Sequence, residues 1–262
     1  MLRSVAPVGL LALVWLSSCV GTPHAPSPSA VAHPYSVVVH GDSFTAALDP
    51  GKGDRREISW ASGTQTGMQS VLQRLESTED LVNVSNVAFS GARMRDVPAQ
   101  ASAAPTDADM VLVWLGINDM CVGPAPESAD AFRADADAAF TLLGTNHPQA
   151  RVLVLAIPDL WRLHELHLAR AEAAALWRQI PDYCPDVFNP APGPTSVFVA
   201  QTRLTAFNEA LRSAARAHGF EFSDATLWPG WTLEDFSRAD YFHPDLDGES
   251  RLAAAVWPVI SS

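Results

Sequence analysis

The chain has 262 residues, of which 48% are hydrophobic and 18% charged, and a formal net charge of −12. That composition is enough to bury a full core in one domain and excludes a disordered or fibrous chain. The acidic balance repels phosphate backbones, so nucleic acid is not an expected partner.

Arg3 and the apolar run from Val8 to Leu16 open the chain, and the run is too short to span a bilayer. Residues 1–18 therefore read as a signal peptide. The segment Leu16-Ser17-Ser18-Cys19 resembles the lipobox of bacterial lipoproteins, in which the cysteine is acylated and becomes the first mature residue. Cys19 is the expected lipidation site, which would make the membrane a partner through the lipid; several long acyl chains on one residue anchor stably. The alternative is an ordinary signal peptide with a chance cysteine, which gives a secreted protein. Both readings place the chain outside the cytoplasm. Residues 19–34, rich in Pro, Ser and Ala with no apolar period, read as a tether, and a single domain is expected over 35–262.

Within that domain, Ser36 to His40 is a β-branched run that ends in Gly-Asp-Ser, which suits a buried strand entering a turn. Further strands are predicted over 81–88, 110–115, 151–157 and 219–222, each ending in turn chemistry. Between them, helices are predicted over 66–75, 128–143, 159–179 and 202–218, and a last one over 247–259. Strand and helix alternate throughout, which argues for an α/β fold with a parallel sheet covered on both faces. In such sheets ligands bind beyond the carboxyl ends of the strands, so the residues there are the ones to inspect.

Gly41-Asp42-Ser43 follows the first strand and puts a hydroxyl at that rim, although a turn or a helix cap explains such a triplet equally well. Ser90-Gly91 follows the second strand and Gly116-Ile117-Asn118-Asp119 the third, bringing a backbone N–H and a side-chain amide to the same edge. Those are the donors that an oxyanion needs. Asp240-Tyr241-Phe242-His243 then sets a carboxylate three residues before an imidazole. Imidazole takes a hydroxyl proton near neutral pH, and a carboxylate orients the ring.

In this order the motifs resemble the SGNH hydrolase family, also called GDSL esterases and lipases, and the resemblance runs from Tyr35 onward. It implies a three-layer α/β/α sandwich of flavodoxin-like type with about five parallel strands. It also implies a catalytic triad of Ser43 as nucleophile, His243 as base and Asp240 as its orienting carboxylate. The oxyanion hole would comprise the N–H groups of Ser43 and Gly91 and the Asn118 amide. One departure is Ala47, where many members have glycine.

The expected activity is carboxylic ester hydrolysis through an acyl-enzyme, with an acyl ester as substrate and no cofactor. A carbohydrate O-deacetylase or a phospholipid acylhydrolase would use the same constellation, and an envelope-tethered binding protein would keep the fold without the chemistry. The loop 182–195 is the expected wall that selects substrate. Cys121 and Cys184 are expected to pair in an oxidising compartment, constraining the unfolded chain by about 4 kcal/mol; two buried free thiols are the alternative.

No metal is expected. His164-Glu165-Leu166-His167 has its histidines three apart rather than four, and reads as a solvated helix face. Asp245-Leu246-Asp247-Gly248 lacks the rest of a calcium loop and reads as a helix N-cap. The sequon Asn83-Val84-Ser85 falls in a predicted buried strand and is set aside. Trp60, Trp161, Trp228 and Trp231 fall at loops or element ends, where they would either line a pocket or pack as core.

Overall fold

β1 (Tyr35–Gly41) carries three consecutive valines, Val37, Val38 and Val39, none of them exposed, although successive side chains of a strand point to opposite faces. A strand buried on both faces must lie inside a sheet with helices above and below. The computed structural model describes residues 34–121, 127–168, 170–180, 183–189, 191 and 193–262. Cys19, the signal segment 1–18 and all of the tether except Pro34 lie outside the described residues.

After β1 come α1 (Ser43–Ala46), a small antiparallel hairpin of β2 (Leu48–Asp49) and β3 (Gly53–Asp54), and α2 (Val71–Leu75). The chain continues through β4 (Val82–Asn86), α3 (Val97–Ala103), β5 (Met110–Trp114), α4 (Ile117–Cys121) and α5 (Ala129–Asn146). Then follow β6 (Arg151–Leu155), α6 (Leu160–His167), α7 (Ala171–Trp177), α8 (Pro185–Phe188), α9 (Pro194–Ala217), β7 (Glu221–Ser223) and α10 (Leu246–Ile260).

The main sheet is five-stranded and parallel, in the order β4-β1-β5-β6-β7. β1 and β5 are neighbours, with Gly41 level with Trp114, so the loops that follow them open side by side. On one side of the sheet α5 packs against α9, where Phe132 stacks on Phe207 with ring centroids 4.6 Å apart. α2 and α10 meet elsewhere, where Arg74 of α2 lies over the Trp257 ring of α10.

The α/β class and the five parallel strands agree with the expectation; four details do not. The helix expected over 159–179 is two helices, because the chain turns extended at Arg170. The last long crossover helix starts at Pro194, well before the expected residue 202; proline is at home in a first helical turn, where the missing N–H has no helical partner to lose. α2 covers only the end of its expected span. β4 lies at a sheet edge and Asn83 is exposed, so the sequon does not sit in a buried strand.

Candidate active site

The corner after β1 is built from backbone satisfaction and close approach. Asp42 caps α1, its Oδ1 accepting from Phe44 N–H at 3.0 Å, and this sets Ser43 as the first helical residue. Gln100 of α3 bonds both backbone groups of Gly41: its Nε2 donates to Gly41 O at 2.7 Å, and Gly41 N–H donates to its Oε1 at 3.2 Å. A Cβ on Gly41 would lie 2.3 Å from Thr45, so only glycine lets strand and helix come this close. Ala47 ends α1 in the left-handed region, at φ 55°, which accounts physically for the glycine common at that place in the resembling family. Asp42 is fully buried, and burial pushes its carboxyl up to about 7 against the opposing Phe44 hydrogen bond.

Ser43, His243 and Asp240 meet in one chain of hydrogen bonds. His243 Nε2 lies 2.9 Å from Ser43 Oγ, and His243 Nδ1 lies 2.6 Å from Asp240 Oδ2. Asp240 Oδ1 accepts from the N–H groups of Phe242 and His243 at 3.0 and 3.2 Å, which fixes the carboxylate to the loop that it serves. With Asp240 accepting at Nδ1, the proton sits on that nitrogen and leaves Nε2 free to accept from the serine hydroxyl. Phe44 and Phe242 pack against the imidazole at 5.4 and 4.8 Å between centroids.

The loop after Gly91 is tied to α4, which carries Asn118. Asn118 Nδ2 donates to Ala92 O at 3.0 Å, and Met94 N–H donates to both Asp119 oxygens at 3.1 and 3.2 Å. Gly91, at φ 82°, turns the chain just before these contacts. The Asp119 carboxyl is pushed up to about 7, chiefly by burial. Because β1 lies between β4 and β5, the three loops that carry Ser43, Gly91 and Asn118 open at the same edge.

Cys121 and Cys184 form a disulfide, and Cys184 N–H donates to Cys121 O at 2.8 Å. Asp245 caps α10, as expected from its sequence, accepting from the N–H groups of Asp247 and Gly248. The histidines of α6 need correction: His164 and His167 are wholly buried and not on a solvated face. His164 stacks on Trp161 at 4.6 Å, and His167 meets Trp177, Phe236 and Tyr241 within 6 Å. Burial lowers both rings, His167 to about 4, so they pack as neutral aromatics. Trp60, Trp161 and Trp231 are core residues, while Trp228 is half-buried beneath the Arg162 guanidinium. Two supports of the site had no sequence signal: Gln100, and Trp177, whose Nε1 donates to Asp240 O at 3.0 Å.

A hydroxyl, an imidazole and a carboxylate in this relay, at the carboxyl edge of a parallel α/β sheet, define a serine hydrolase. The chain belongs to the GDSL-like lipase/acylhydrolase family, whose model matches residues 39–251. No curated protein matches the sequence significantly. Among solved structures the chain is similar to an extracellular lipase from Streptomyces rimosus, with 19% identity over 86% of this chain and 98% of that one and a TM-score of 0.52. It is also similar to a phospholipase A1 from Streptomyces albidoflavus, at 16% identity over 87% and 99% with a TM-score of 0.53. A psychrotrophic esterase from Pseudoalteromonas shares 14% identity over 87% and 97% with a TM-score of 0.54. At these identities the likeness is one of fold.

Proposed function

We propose that the chain is a carboxylic ester hydrolase that works through an acyl-enzyme on Ser43. The observation that carries this reading is the relay of 2.9 and 2.6 Å linking Ser43, His243 and Asp240. Ser43 Oγ attacks the ester carbonyl carbon while His243 Nε2 takes the hydroxyl proton. Asp240 holds the ring's tautomer and stabilises the imidazolium. The carbonyl oxygen gains charge and is met by the N–H groups of Ser43 and Gly91 and by the second N–H of the Asn118 amide. Collapse breaks the ester C–O bond, and His243 returns its proton to the departing alcohol. Water then attacks the acyl-Ser43 carbonyl by the same route in reverse order, releasing the acid and restoring the hydroxyl.

The reading extends to location. The lipobox-like Leu16-Ser17-Ser18-Cys19 supports a mature chain acylated on Cys19 and held at the outer side of a membrane, with the Cys121–Cys184 bridge in keeping with an oxidising compartment. Incorporation of labelled fatty acid into the wild type and its loss in Cys19→Ser tests the anchor. For the chemistry, the purified protein is expected to hydrolyse short p-nitrophenyl esters and to be labelled at Ser43 by an organophosphonate. Ser43→Ala is expected to abolish both, and full turnover in that variant would end the assignment.

A further inference from the structure

Tyr183 belongs neither to the proton relay nor to the oxyanion donors, yet its side chain reaches Asn118. Tyr183 Oη lies 3.3 Å from Asn118 Oδ1, while Asn118 Nδ2 donates to Ala92 O. A carbonyl oxygen can only accept, so the amide nitrogen must face Ala92 and the amide oxygen must face the tyrosine, whose hydroxyl is the donor. One amide N–H is used on Ala92, and the other is left for the oxyanion. A flipped amide would set oxygen against oxygen at Ala92 and aim an acceptor at the place where negative charge develops.

The tyrosine is itself held in reach. Its ring stacks on Phe188 at 5.6 Å and meets Phe242, the neighbour of His243, edge-on at 6.0 Å. The next residue, Cys184, is bonded through sulfur to Cys121 and through its N–H to Cys121 O, at the end of the same short helix that carries Asn118. Burial, with Asp42 and Asp240 nearby, raises the phenol above its ordinary value, so it keeps its proton and can donate at neutral pH.

We propose that Tyr183 is a positioning residue for oxyanion stabilisation: its hydroxyl fixes the orientation of the Asn118 amide, and the Cys121–Cys184 bridge keeps that hydroxyl within reach. This rests on the role given to Asn118 under the ester-hydrolase reading. The test is a cycle of Tyr183→Phe, Asn118→Ala and the double variant, with kcat and KM measured on p-nitrophenyl butyrate. Tyr183→Phe is expected to lower kcat about 10-fold with KM nearly unchanged, and to lower it no further in the Asn118→Ala background. An unchanged kcat in Tyr183→Phe, or the same fold-loss in both backgrounds, would overturn the proposal. Should Tyr183→Phe not fold, the Cys121→Ala/Cys184→Ala pair replaces it and is held to the same criterion. Ser43→Ala, assayed beside them, separates the two claims. Turnover there defeats the hydrolase reading and this one with it, whereas an inactive Ser43→Ala with an additive cycle defeats only the role of Tyr183.

Discussion

Ser43 and His243 share one hydrogen bond, but the two sides of that bond are held by different forces. Ser43 opens α1 just after β1, whose valines are sealed between β4 and β5, so its place follows from sheet register and close packing. His243 and Asp240 stand in an irregular loop over 236–245. There Ser237 N–H donates to His243 O at 2.9 Å, Tyr241 N–H to Ser237 O at 2.7 Å and Trp177 Nε1 to Asp240 O. Loss of a packed apolar side chain costs stability because the core refills the space only in part, whereas loss of one link in a chain of hydrogen bonds misplaces the next group. The loop that carries His243 and Asp240 thus depends more on hydrogen bonds, and the sheet beneath Ser43 more on packing.

Asp240→Asn probes the loop side and should have the largest effect. The amide can neither stabilise an imidazolium nor keep the proton on Nδ1, so kcat is expected to fall about 10³- to 10⁴-fold while the melting temperature hardly moves. A rate near wild type would remove Asp240 from the relay. Leu112→Ala probes the sheet side, deleting a wholly buried side chain of β5. It should cost about 2–5 kcal/mol in urea unfolding, with kcat per folded molecule within about twofold. A large loss of kcat in the folded variant would show that the two sides are not separable.

Asp42→Asn sits on the boundary between them, and its effect is smaller and pH-dependent. In the folded protein the Asp42 carboxyl is raised from 3.8 to about 7, so the folded state keeps a proton that the unfolded chain releases over that range. Its stabilising contribution is complete below the unfolded value and is lost as pH rises through about 7. The buried His40, lowered from 6.5 to about 4, acts in the opposite sense: its contribution is present above 6.5 and lost in acid. Asparagine keeps an oxygen for the helix cap without a charge to bury. Between pH 5 and pH 8 the variant should lose less stability than wild type, by about 1–3 kcal/mol in urea unfolding. Parallel pH profiles for the two proteins would show that Asp42 does not titrate in this way.

The sheet was largely legible in the sequence, because a strand buried on both faces leaves an unbroken apolar run. Val37 to Val39, Met110 to Trp114 and Arg151 to Leu155 all lie where their runs put them. The relay and Asn118 were legible because Ser43, Asn118, Asp240 and His243 each follow or precede a recognisable turn at the carboxyl edge. What escaped was the set of partners that reach across the fold. Gln100 sits in a seven-residue helix with a proline near its start and no strong apolar period, and nothing local reveals that its amide completes Gly41. His164 and His167 were misplaced for the converse reason: polar letters suggest solvent, but the neutral rings fill a space among Trp161, Trp177 and Phe236 that only tertiary packing creates. Tyr183 lies in a proline-rich stretch whose sequence shows neither the phenol's direction nor its target.

Ser43 and His243 are 200 positions apart along the polypeptide. During synthesis from the amino end, Ser43 emerges just after β1, and His243 follows only after all five strands of the main sheet have been made. A nascent chain therefore holds the hydroxyl without its hydrogen-bond partner until residue 243 has been made. A break in the backbone that let the segment carrying His243 drift away would open the relay, however well the sheet survived.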